Sequence, residues 1–166
     1  MRLANSVRAA IFAAGAGFLI FYQDHSVEVG LMVLLLVTAA LAIAGVVTKR
    51  SAAKEHLIPT ALSSLVAVLS LVALLVENER LISFRALVFI FAIGMAAYEL
   101  VFSRKANPDD VLELRIASGI GLLTGLVFSL APLDVGNAVG FLSAYLAISS
   151  VQRAVWAASP TNGKKN

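Results

Sequence analysis

Between Arg115 and Val155 two apolar runs, each close to the ~20 residues that cross a bilayer's hydrocarbon core, are joined by a few residues that include Pro132, Asp134 and Asn137. Lipid offers no partner to a backbone N–H or C=O, so a chain that crosses and returns over so short a distance does so as two helices. The same plan, an apolar helix, a short polar turn with acids and an apolar helix rich in small residues, recurs over residues 17–46 and 70–101. The fold class expected is therefore all-α: a polytopic membrane protein with six transmembrane helices, laid out as three helical hairpins over about 5–47, 57–103 and 108–158. These form one domain, 1–158, with a three-fold pseudo-symmetric plan, followed by a flexible polar tail at 159–166.

Composition excludes the soluble alternative. The 166 residues are 60% hydrophobic and only 14% charged, where a water-soluble domain carries roughly 25% charge. Most long segments are apolar on every face, which leaves no polar side for water. The formal charge of +3 does not point to nucleic acid, because the bases are spread over short connections and form no aromatic-interleaved patch. There is no cysteine, and His25 and His56 are expected on opposite sides of the membrane, so no thiolate or histidine metal site is expected. No catalytic set and no cofactor site stands out either.

Local signals set the boundaries. Arg2 and Arg8 precede the run from Ala9 to Tyr22 as in a signal peptide, but no small-residue cleavage site follows, so an uncleaved first helix over about 5–22 is expected. Ser26 suits the cap of the second helix, with Glu28 on the positive end of its dipole. Pro59 opens the third. Asn107 with Pro108, Asp109 and Asp110 marks the start of the fifth. Nine of the 13 bases (Arg2, Arg8, Lys49, Arg50, Lys54, Arg104, Lys105, Lys164 and Lys165) fall on one side, and only Arg80 lies in the opposite turns. The positive-inside rule then places both termini in the cytoplasm. The opposite turns hold Asp24, Glu28, Glu77, Glu79 and Asp134, so low external pH is expected to remove much of that face's charge.

Helices in lipid associate by close packing at small residues. Ala117, Gly121 and Gly125 on helix five are expected to meet Gly136, Gly140 and Ala144 on helix six; Gly17 continues a stripe with Ala9 and Ala13, and Ala92 with Ala96 forms another. Charged groups at membrane depth cost about 3 kcal/mol or more and are candidate functional residues. Glu99, Arg115, Gln152 and Arg153 lie at similar depth near the cytoplasmic side and form the candidate intramembrane polar cluster, with Tyr98 beside it. Arg85, one turn into helix four, is expected to pair with Glu77, Glu79 or Asp134. Phe18, Phe21, Tyr22, Phe84, Phe102 and Trp156 fall where an aromatic belt belongs.

The run Gly121-Leu122-Leu123-Thr124-Gly125-Leu126-Val127-Phe128-Ser129-Leu130-Ala131-Pro132, followed by Gly140-Phe141-Leu142-Ser143-Ala144-Tyr145, resembles the HdeD-like family of small membrane proteins, and Ala14-Gly15-Ala16-Gly17-Phe18 looks like a second copy. The resemblance implies six helices in the bacterial cytoplasmic (inner) membrane, a link to acid or stress tolerance, and no catalytic residues. The partners expected are the lipid bilayer and either a larger membrane complex or a homo-oligomer. Alternative functions are an accessory subunit of such a complex and a small transporter or channel working through Glu99 and the nearby arginines, Arg115 and Arg153.

Overall fold

The computed structural model describes residues 2–22, 24–48, 57–76 and 79–159, without the side chains of Arg2, Thr48 and Asp109. The expectations for Lys49, Arg50, Lys54, His56, Glu77, Lys164 and Lys165, and for a flexible tail beyond 159, lie outside those residues. Six helices make up the rest: α1 (Arg2–Phe21), α2 (Val27–Thr48), α3 (Leu57–Leu75), α4 (Arg80–Ser103), α5 (Pro108–Leu130) and α6 (Val135–Ala158). Each is long and apolar enough to cross a membrane, and among the described residues there is no strand. The chain is a polytopic helical membrane protein.

The helix ends follow local chemistry. Asp134 caps α6: its Oδ1 accepts from the Asn137 backbone N–H at 2.8 Å and its Oδ2 from the Asn137 amide at 3.0 Å. Pro108 opens α5, but the Asn107 side chain makes no capping bond to it. Arg80 Nη1 reaches Glu28 Oε1 at 2.6 Å and its Nη2 reaches the Leu74 carbonyl at 3.2 Å, so one guanidinium ties the first turn of α2 to the end of α3.

Arg85 behaves differently from expectation. Its Nη2 donates to the carbonyls of Phe128 at 3.2 Å and Ala131 at 2.8 Å, and among the described residues, which do not include Glu77, it forms no ion pair. It closes the C-terminus of α5, where unpaired carbonyls and the negative end of the dipole favour a cation.

The helices close into a ring. α6 packs along α1, α2 along α3 and α4 along α5, while α1–α2, α3–α4 and α5–α6 touch less extensively. α2, α4 and α6 also touch one another, so they form the inner triangle, and α1, α3 and α5 lie outside it. The pattern repeats every two helices. Its strong pairs are not the expected hairpins: they are the successive helices that lead from one expected hairpin to the next, α2 with α3 and α4 with α5, plus the closure of α6 on α1.

Small residues explain one strong pair. A Cβ at Gly121 would sit 2.8 Å from the Ala92 carbonyl oxygen and 2.9 Å from the Ala96 Cβ, and a Cβ at Gly125 would press on Ile93 and Phe89. Gly121 and Gly125 therefore let α5 approach α4, and the expected partner, α6, is corrected. Gly136 and Gly140 point away from the bundle: a Cβ at Gly140 would meet nothing within 4 Å, and at Gly136 only the side chain of Asp134. Gly17 likewise meets nothing within 4 Å. Gly17, Gly136 and Gly140 lie at no close helix contact within this chain. The looser seams open instead as apolar grooves, about 320 Å³ between α1 and α2 around Gly15, Met32 and Leu36, and about 200 Å³ between α5 and α6 around Leu123, Val127 and Phe141.

The bundle centre changes character along its length. Towards the turns it is filled by Leu19, Leu31, Leu34, Phe84, Val88, Val139 and Leu142, each at most 1% exposed, and the Phe84 and Phe128 rings meet edge-on at 6.1 Å. At mid-depth Tyr145 takes the edges of Phe12 and Phe91, both at 6.4 Å. Beyond that ring cluster, towards the end where α1 begins and α6 ends, the buried side chains turn polar.

Candidate functional site

That polar end is built from four helices. α1 contributes Asn5 and Arg8, α3 Thr60 and Ser63, α4 Glu99 and Ser103, and α6 Ser149 and Arg153; all but the half-buried Arg8 are buried. Each pair recurs at three or four residues, one face of a helix. On α1 the polar residues continue an apolar stripe that runs through Ala9, Phe12, Ala16 and Leu19. The same face that packs the core at mid-membrane thus delivers polar groups to the end.

Arg153 and Glu99 are the centre of the cluster. The Arg153 Nη2 donates to Glu99 Oε1, and both side chains are about 5% exposed. Glu99 lies four residues from the end of α4, roughly 6 Å of rise, which is too deep for a short carboxylate side chain to reach headgroups but within reach of a buried guanidinium. The arginine's plane also lies over the Phe12 ring, 5.6 Å from its centroid, a cation–π contact that helps to hold the charge in an apolar setting. Its Nε has no hydrogen-bond partner among the described residues. Arg8 is close enough to feel both charges. The Tyr145 hydroxyl shares a hydrogen bond with Ser149, one turn before Arg153, and so joins the mid-depth ring cluster to the polar end.

The four expected members are separated by helix phase. Glu99 and Arg153 meet. Gln152, the next residue along α6, faces α5, where its Nε2 donates to the Glu113 carbonyl at 3.1 Å. Trp156 Nε1 donates to Asp110 Oδ1 at 3.0 Å along the same seam, so the expected belt residue is also a tie between helices. Arg115 is exposed; it sits about 100° round α5 from Leu114, which is buried with Ser118, and it takes no part in the cluster. Tyr98 stacks on Phe102 with ring centroids 5.7 Å apart.

Arg8, Thr60, Ser63 and Ser149 escaped the sequence reading. Arg8 looks like a flanking topology charge, and hydroxyls in membrane helices are common. The signal that would have found them is the i, i+3/i+4 continuation of an inward stripe: Asn5–Arg8–Phe12 and Ser149–Arg153.

A pocket of about 10 Å³ lies inside the cluster, lined by Arg8, Thr60, Ser63 and Arg153 and walled by Phe12, Leu41, Pro59 and Met95. Among the described residues no three His, Asp or Glu side chains converge as metal ligands would. Chemically the arrangement offers fixed positive charge and hydroxyl donors in a small, largely apolar enclosure. Comparison with known proteins gives no match to a protein-family model, a curated protein or a solved structure.

Proposed function

We propose that this chain is a non-enzymatic integral protein of the bacterial cytoplasmic membrane, HdeD-like in type, with both termini cytoplasmic, serving acid or stress tolerance from within the bilayer. The observation that carries this reading is the filled bundle centre. Phe12, Phe91 and Tyr145 meet edge-on at mid-depth, and aliphatic and phenylalanine side chains fill the space beyond them. That packing favours a sealed structural element over a transporter or channel, which needs a path or a hinge through this plane. The resemblance of residues 119–154 to HdeD-like proteins supports the link to acid tolerance.

The test is deletion and complementation in the source bacterium under acid challenge. Loss of survival on deletion, restored by the wild-type chain, is the expected result; survival unaffected by deletion contradicts the proposal. Gentle detergent extraction supplies the second arm. A monomer or homo-oligomer agrees with the proposal, whereas a stoichiometric foreign partner replaces it with the accessory-subunit reading.

A further inference from the structure

We propose that the pocket between Arg8 and Arg153 binds one small monovalent anion of halide size, with chloride as the physiological candidate. This does not rest on the functional reading above.

The charge balance points to an anion. Two guanidiniums, the half-buried Arg8 and the buried Arg153, line the pocket, and a single carboxylate, Glu99, pairs with one of them, which leaves one positive charge in excess at the pocket. Among the described residues neither of the other acids at this end pairs with these arginines: Asp110 accepts from Trp156, and Glu113, whose backbone carbonyl meets Gln152, forms no ion pair with Arg8 or Arg153 and has a buried carboxylate oxygen of its own without a partner. A buried charge without a counter-charge is strongly disfavoured, and a bound anion supplies one. The hydrogen-bond inventory agrees. Arg153, 4% exposed, satisfies its Nη2 with Glu99 and its face with Phe12, yet its Nε–H has no acceptor among the described residues. Arginine has only donors, so the missing partner is an acceptor, and an anion is a stronger one than a neutral group.

Size sets the class. A volume of about 10 Å³ is at the lower limit for one water-sized particle. A single-atom halide comes nearest to that size, with the flexible Arg8 and Met95 side chains giving way to seat chloride; phosphate, sulfate and organic carboxylates are too large. The walls suit a weakly hydrated ion as well, with Ser63 as a hydroxyl donor and Phe12, Leu41, Pro59 and Met95 as apolar surface.

The experiment is thermal unfolding of the full chain in mild detergent, with chloride replacing gluconate at constant ionic strength. Gluconate is too large for the pocket. The wild-type midpoint is expected to rise saturably, by on the order of 5 °C, between about 1 and about 300 mM chloride. Arg8→Gln removes the excess charge, so its midpoint is expected to be flat in chloride and, in gluconate, no lower than that of the wild type. Ser63→Ala, which preserves both arginines, is expected to raise the half-saturating chloride at least about 3-fold. A flat wild-type response overturns the proposal. So does an Arg8→Gln response as large as the wild type's, since that is a general salt effect, or an unchanged half-saturation in Ser63→Ala.

Discussion

The two ends of the bundle centre solve the same problem in opposite ways. At the turn end the inner triangle of α2, α4 and α6 is closed by interlocking Phe84, Val88, Val139 and Leu142, and the charged groups Arg80, Glu28 and Asp134 stay at the rim. At the other end Glu99 of α4 and Arg153 of α6 are inside, joined by Thr60 and Ser63 of α3. Packing in lipid draws on van der Waals contact and hydrogen bonds, with no hydrophobic force between helices. The turn end relies on the first and the polar end on the second. The difference teaches that apolar filling tolerates gradual loss, whereas the polar end is conditional on every partner being present.

The largest effect should come from breaking the polar end. Glu99→Leu leaves Arg153 charged and unpaired, and removing one partner of a buried pair costs about 3–5 kcal/mol; the unfolding free energy in bicelles or by steric trapping would measure it. A loss below ~1 kcal/mol would mean that Arg153 escapes to water, and the contrast between the ends would fail.

Next is the plane that divides them. Phe91→Ala removes a fully buried ring from the contact with Tyr145, with an expected loss of about 3 kcal/mol. The loss should be graded, with Phe91→Leu near ~1 kcal/mol, because apolar filling lacks the all-or-none character of the ion pair.

Glycine substitutions sharpen the comparison of seams. Gly121→Val forces a Cβ against the Ala92 carbonyl and should cost about 1–3 kcal/mol, while Gly140→Val, on the outward face of α6, should change stability by less than ~0.5 kcal/mol. Equal losses in the two would restore an α5–α6 seam.

The smallest effect belongs to the rim. Arg80→Gln breaks a partly exposed pair with Glu28, worth about 0.2–1 kcal/mol and weakened by salt. A larger, salt-independent effect would show that the turn end also depends on charge.

What was legible in the sequence follows from what each feature encodes. Six helices could be read because a run near 20 apolar residues has one use in lipid, and the cap at Ser26, whose Oγ accepts from the Val29 N–H at 3.4 Å, could be read because capping is local. Partner choice could not. The spacing of Gly121 and Gly125 says that something approaches α5 closely, and Ala92 and Ala96 carry the matching stripe on α4, but Gly136 and Gly140 carry the same spacing and face outward. Spacing encodes proximity, and helix phase relative to the whole bundle decides the partner. Depth alone likewise grouped Arg115 with Glu99; a rotation of about 100° per residue separates Arg115 from the inward face and sends Gln152 to a different neighbour from Arg153.

The claim that the polar end stands as a coupled unit is tested most directly by the double-mutant cycle of Glu99 and Arg153, completed with Glu99→Leu/Arg153→Leu. The account predicts that the double variant recovers most of the stability lost by either single one, with a coupling energy of about 2 kcal/mol or more. Additive losses, with a coupling energy within ~0.5 kcal/mol of zero, would contradict it.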